Sequence, residues 1–237
     1  MSFIKSVLFV VLLNLIYTES IPCNQQSLKR KYDFLLLAIQ WTPGLCYASA
    51  KCGKYKEEFS IHGLWPENVK KDDHVEFCCE ENLNLASLQP TTFKRHESRF
   101  AQWSASHMNN TEFWTHEWKK HGTCASSTPQ LNGQQKYFST ALQLFKNLQL
   151  QRIFSDAKIA AGQLGSNSEY NLDIVKQVIK SKIGKKVQFV CRIEDSISKT
   201  PFLSEIYVCY DAKTMNVIDC PDYDKCRGRK AHFLKAQ

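Results

Sequence analysis

The sequence predicts one disulfide-bonded α+β domain. Apolar, β-branched and aromatic runs lie toward both ends of the chain, with helix-periodic segments between them. Ten cysteines are present, all beyond residue 20, and an even count in an exported chain reads as bridges. No internal repeat, low-complexity tract or Pro/Ser-rich linker divides the remainder.

The first segment stands outside that domain. Residues 1–20, "MSFIKSVLFVVLLNLIYTES", place Lys5 before an apolar run from Val7 to Ile16, too short to span a bilayer, and then the small residues Thr18 and Ser20. This is the order of a cleaved signal peptide. It leaves 21–237 as the mature domain, long enough to bury a sizeable core. No later stretch is apolar enough to cross a membrane, so the product is read as exported, to the extracellular space or the lysosome.

The remaining elements follow in order. "DFLLLAIQW" (33–41) is a continuous apolar run stopped by "TPG", as a buried strand would be, and "FSIHGLWP" (59–66) reads as a second strand breaking at Gly63 and Pro66. "MNNTEFWTHEWKKHG" (108–122) reads as a helix capped by Asn110, with Glu112 in its first turn, Lys119, Lys120 and His121 in its last, and Gly122 as the stop. Apolar residues at three- and four-residue intervals mark helices over 134–149 and 171–184, the latter ended by Gly184. "KVQFVCRI" (186–193), "SEIYVCYD" (204–211) and "NVIDC" (216–220) close the chain as strands.

The formal charge is +8, and removing residues 1–20 leaves it unchanged because Lys5 and Glu19 depart together. Such a chain is drawn to polyanions without choosing among them. The basic clusters at 180–186 and 225–230 lack interleaved aromatics that could stack on bases, and read as solvated surface. The cysteines do not suit zinc: there is no C-x-x-C pair, and Cys78 and Cys79 are adjacent.

On an ideal helix His116, Lys120, Phe113, Glu117 and His121 spread over an arc of about 140°, while Lys119 points away and Trp114 and Trp118 flank the arc. A zinc-peptidase helix needs H-E-x-x-H; the spacing here is H-E-x-x-x-H, which turns His121 about 140° from His116. The helix alone fits a solvated, ion-paired face equally well. His62 changes the balance, since it sits in an apolar strand just before a glycine, with Trp65 and Pro66 beyond.

Together and in this order, "FSIHGLWP" and "FWTHEWKKHGTC" resemble the two active-site segments of the T2 ribonuclease family, the second without a gap. The likeness continues weakly through "LLLAIQWTPGLC" and the cysteine-bearing strands. It implies a mainly antiparallel sheet packed against helices, and a secreted, metal-independent endoribonuclease. By the resemblance His121 is the general base on the ribose 2′-hydroxyl, His62 the general acid on the departing 5′-oxygen, and His116 the group that holds the phosphate. Lys120 stabilises phosphorane charge and Glu117 orients or polarises beside it. As the i, i+4 neighbour of His121, Glu117 is also expected to set that imidazole's tautomer and raise its pKa. Trp65 is expected to line the site and Gln40 to lie in the base-contacting region, although Thr42 is an insertion relative to the usual Trp-Pro form.

Single-stranded RNA is the implied substrate, because its 2′-hydroxyl is the nucleophile; DNA is expected to stay intact, no cofactor or metal is expected, and the chain is expected to act as a monomer. A secreted binding protein with a silent site is the rival from another class, and retention of His62, His116 and His121 favours the enzyme. His74, His96 and His107 match no motif and read as surface residues. Family cysteine positions imply the pairs Cys46–Cys52, Cys191–Cys226 and Cys209–Cys220, with Cys124 joined to Cys78 or Cys79 and the other left for Cys23.

Asn109-Asn110-Thr111 is the sole N-x-[ST] sequon and predicts a glycan on Asn109. Glycosidase treatment of the exported protein should increase its gel mobility; unchanged mobility would mean the asparagine is bare.

Overall fold

The structure is a computed structural model that describes residues 31–47, 52, 56–70, 73–88, 109–194, 196–222 and 225–236. The expected signal peptide, Cys23, His96 and His107 lie outside the described residues. Strand β1 (Phe34–Trp41) has all eight residues buried, as its unbroken apolar run predicts. It turns directly into a short helix, α1 (Thr42–Cys46), with Pro43 in the first turn. β1 pairs antiparallel with β2 (Phe59–Glu67) on one side. On the other it pairs antiparallel with the long strand β5 (Ser198–Asp211).

Three helices follow β2 and the catalytic-helix segment described below. α3 (Gln134–Leu148) turns through Gln149, which has φ +48°, straight into α4 (Leu150–Asp156). α5 (Leu172–Ile183) is capped by the Asn171 side chain and ended by Gly184 at φ +78°, where a residue without Cβ is unstrained. The remaining strands are β3 (Glu169–Asn171), β4 (Gln188–Glu194), β6 (Val217–Ile218) and β7 (Lys230–His232). Among the described residues the sheet runs β2-β1-β5-β7-β3, with β4 and β6 also on β5; β5 and β7 are parallel and the other named pairs antiparallel.

The main core lies between one face of this sheet, with Leu35, Leu37, Ile39 and Trp41 from β1, and the apolar stripes of α3, α4 and α5. At roughly 1.5 to 3 kcal/mol for each fully buried large apolar side chain, this layer is the largest favourable term in the fold. A smaller cluster on the opposite face, with Phe34, Leu36, Ala38, Tyr207 and Cys209, packs against Trp65. That second face carries the site.

Several sequence expectations are corrected. β2 does not break at Gly63 but continues to Glu67 with a bulge. β5 begins six residues earlier than its apolar pattern, running through Pro201, and the β4–β5 register shifts between Arg192 and Glu194, so the proline falls where the ladder is already irregular. α4, β3 and β7 are too short to leave a period in the sequence. Bridges join Cys46–Cys52, Cys78–Cys124, Cys191–Cys226 and Cys209–Cys220. Cys78, not Cys79, thus reaches Cys124; Cys79 is itself disulfide-bonded. The Cys78–Cys124 bridge spans 46 residues and contributes roughly 3 to 4 kcal/mol by chain entropy.

Candidate active site

The site begins with a fault in strand pairing. Ala38 faces Gly63 and Ile39 faces Ile61, so His62 is the extra residue of a β-bulge that re-aims its side chain. Gly63 is needed for a different reason. A Cβ there would lie 2.0 Å from Glu117 Oε2 and 2.2 Å from Trp65 Nε1, in the space where those two groups meet.

The second half comes from helix α2 (Asn110–Glu117). Its N-cap is Asn109, one residue before the expected Asn110; the Asn109 side chain accepts the Glu112 N–H at 2.9 Å. From Trp118 to Gly122 the helix widens into a π turn and then continues through Thr123–Ala125. Gly122 therefore does not stop the helix. It makes room for Trp118, because a Cβ there would sit 2.3 Å from the indole, which is wholly buried in the core. A turn closed at five residues changes the stagger of everything after Glu117, so the ideal-helix angles no longer hold.

These two irregular segments meet. The Trp65 indole N–H donates to Glu117 Oε2 at 2.9 Å, and Glu117 Oε1 is 3.7 Å from His62 Nε2. The His121 ring stacks on Trp65 at 5.1 Å, and the His62 ring meets the same indole at 4.9 Å, nearly perpendicular. On its other side His62 Nδ1 is 2.5 Å from Glu205 Oε1, and the Tyr207 hydroxyl donates to Glu205 Oε2 at 2.9 Å. Lys120 pairs with Glu76 at 3.2 Å.

Electrostatics separate the two histidines. Burial lowers the His62 pKa, but the Glu205 hydrogen bond and the charges of Glu117 and Glu205 more than offset it, and the net shift is upward. His121, only 4 % exposed, is held well below the ordinary imidazole range by burial and then by the charges of Lys120, His62 and His116. His116 is exposed and is lowered by partial desolvation, then by Lys120 and His62. Burial pushes Glu117 up to about 7 against His62, Trp65 and Lys120. Burial also acts against Glu205, but its bond to His62, that ring's charge and the Tyr207 hydroxyl hold it below the usual carboxylate range. An imidazole biased toward its protonated form beside one biased toward its neutral form suits acid–base chemistry.

The structure brings His62, Trp65, Glu117 and His121 into direct contact, with Lys120 and the exposed His116 within electrostatic reach. Glu117 does not orient His121, contrary to the i, i+4 expectation. Its carboxylate turns to Trp65 and His62, while His121 Nδ1 is buried with no hydrogen-bond partner among the described residues. The His121 pKa accordingly falls instead of rising. Gln40 is 3 % exposed, faces Glu205 across the β1–β5 pair and donates to Ser60 Oγ at 2.9 Å, a place inside the sheet. His74 is exposed. Sequence reasoning missed Glu205 and Tyr207. The signal was a glutamate inside the apolar strand "SEIYVCYD", since a charge buried there demands a partner. No three His, Cys, Asp or Glu side chains among the described residues are placed to hold one metal ion.

Comparison with known proteins adds three findings. The sequence model of the Ribonuclease T2 family matches residues 32–220. Extracellular ribonuclease LE of Solanum lycopersicum is 30 % identical over 220 residues, covering 90 % of each chain, and intracellular ribonuclease LX of the same plant is 30 % identical over 210 residues, covering 85 % of this chain and 84 % of that one. The crystal structure of RNase NT in complex with 5′-AMP superposes with a TM-score of 0.71 at 26 % identity, over 87 % of this chain and 99 % of that one.

Glu117 makes stability depend on pH. Its folded pKa of about 7 lies above the ordinary 4.5, so its contribution is fully present below about 4.5 and is lost as pH rises through 7. Glu117→Gln mimics the protonated form. In denaturant unfolding the variant should match the parent near pH 4.5 and exceed it by roughly 3 kcal/mol at pH 8, since each tenfold change in proton affinity on folding is worth about 1.4 kcal/mol. A constant difference across that range would show that Glu117 is ionised throughout.

Proposed function

We propose a mechanism whose premise is the family: this chain belongs to the ribonuclease T2 family and is an RNA endonuclease. It cleaves single-stranded RNA without a metal or other cofactor. His121, kept neutral, takes the proton from the ribose 2′-hydroxyl; the 2′-oxygen attacks phosphorus; and His62, kept protonated, delivers a proton from Nε2 to the leaving 5′-oxygen. The geometry that supports the reading is two imidazoles against one indole, His62 bonded to Glu205 and His121 with Nδ1 unpartnered among the described residues, which biases them in opposite directions. Because the acid's pKa lies above the base's, both groups hold the right proton over a window between them.

His116 binds the scissile phosphate, and Lys120 stabilises the charge that gathers on its oxygens in the transition state. Glu117 sits between Trp65 and His62, where it holds the indole and adds to the field that keeps the acid charged. The product is a 2′,3′-cyclic phosphate, hydrolysed to a 3′-phosphate when the two histidines exchange roles. DNA lacks the nucleophile and is left intact. Residues 1–20 direct export and the mature monomer spans 21–237. Relatives equally similar are named extracellular and intracellular, so the reading of export rests on that leader alone.

The purified mature chain should cleave RNA in excess chelator, leave DNA whole and release cyclic phosphate ends. His62→Ala or His121→Ala should each lower kcat by ~10²-fold or more, and the double variant should lose far less than the product of the two. Lys119→Ala should leave activity unchanged. Chelator-sensitive activity, equal cleavage of DNA, or full activity in His62→Ala would overturn the mechanism.

A further inference from the structure

Every group in the proposed mechanism comes from two segments, β2 and the catalytic helix. A close polar contact to His62 comes from neither. Glu205 projects from the middle of β5, opposite Gln40, and its carboxylate is 2.5 Å from His62 Nδ1. It is 7 % exposed, and the Tyr207 hydroxyl occupies its second oxygen at 2.9 Å. Among the described residues β5 is the strand with the most sheet partners, so this carboxylate stands on a rigid base: Glu205 is paired in backbone register with Gln40 on one side and Val190 on the other. A buried carboxylate bonded at both oxygens has little freedom to turn.

We propose that Glu205 is a positioning residue for the general acid: it holds the proton on His62 Nδ1, so that Nε2 is the nitrogen that faces the substrate and gives up its proton, and Tyr207 locks the carboxylate in that role. The inference rests on His62 being the acid. The proton balance is closed without Glu205 changing state. The 2′-hydroxyl proton goes to His121, the P–O5′ bond breaks, the 5′-oxygen takes the proton from Nε2, and neutral His62 retains Nδ1–H donated to Glu205. Without that carboxylate the ring is free to rotate, and the doubly protonated form that carries the acidic proton on Nε2 loses the anion that favours it.

The charged and titratable groups around His62 are Glu205 from β5, and Glu117, Lys120, His116 and His121 from the catalytic helix. Around Glu205, among the described residues, they are His62, Tyr207, Glu117 and Lys225. Glu117 stands 3.7 Å from the ring and makes no hydrogen bond to Nδ1, so it cannot substitute for Glu205 in fixing the tautomer.

The test separates a role through the acid from a structural one. Two substrates are compared: RNA, whose alkoxide leaving group needs a proton, and a nucleoside 3′-aryl phosphate, whose phenolate departs without one. Glu205→Gln should lower kcat on RNA by ~10-fold or more, within the loss of His62→Ala, with KM nearly unchanged, and should move the alkaline limb of the pH profile to lower pH. On the aryl phosphate the same variant should lose little. Tyr207→Phe, which keeps the carboxylate charge, should show the same pattern with a smaller loss. Equal losses on both substrates, or an unmoved alkaline limb, would overturn the role of Glu205. If His62→Ala also lost activity equally on both substrates, the acid assignment itself would fall.

Discussion

Two carboxylates are held out of water against one imidazole, and the fold compensates them unequally. Glu205 has a hydrogen bond at each oxygen, from His62 and from the Tyr207 hydroxyl, and stays ionised. Glu117 receives the Trp65 indole and faces His62 at 3.7 Å, and burial drives it to about 7. Taking an uncompensated carboxylate into the interior costs several kcal/mol, so the imidazole that neutralises both is drawn toward its charged form. His121, stacked on Trp65 with Nδ1 unpartnered among the described residues, is driven the other way. The indole thus touches two imidazoles of opposite bias. One carboxylate comes from the sheet and the other from the helix, so the docking of α2 on the sheet, fixed by Phe113 and Trp118 in the core and by Cys78–Cys124, sets the chemistry.

That docking is made by two departures from regular geometry. The bulge at His62 interrupts β2, and the π turn from Trp118 to Gly122 interrupts the catalytic helix. Each is accompanied by a glycine whose Cβ would collide with the group the site needs: Gly63 with Glu117 and Trp65, Gly122 with Trp118. Both irregularities are surrounded by wholly buried side chains, Ile61 and Leu64 beside the bulge and Trp118 and Thr123 in the widened helix. Packing on both sides holds the local geometry in place.

Much of this is legible in the sequence. The apolar run of β1, the stripes of α3 and α5 and the order of strands around helices come from period and composition, which register burial directly. His62, His116, Glu117, Lys120 and His121 stand in two short segments dense enough in chemistry to be recognised. Partnership is not legible. An ideal helix puts Glu117 beside His121, but the π turn, which leaves no periodic trace in five residues, changes the stagger of His121, while Glu117 meets Trp65 and His62. Glu205 is separated from His62 by 143 residues and belongs to a strand whose first residues carry no apolar pattern, so nothing local links the two. Alternation along β1 sends Gln40 to the Glu205 face of the sheet, where it is buried and donates to Ser60, a partner that its position in the sequence does not announce.

Histidine titration by NMR tests the opposite bias of the two imidazoles most directly, with His62→Ala and His121→Ala spectra assigning the signals. The expected midpoint lies above the free-imidazole value of 6.5 for His62 and below it for His121. Coincident midpoints, or His121 titrating above His62, would contradict it.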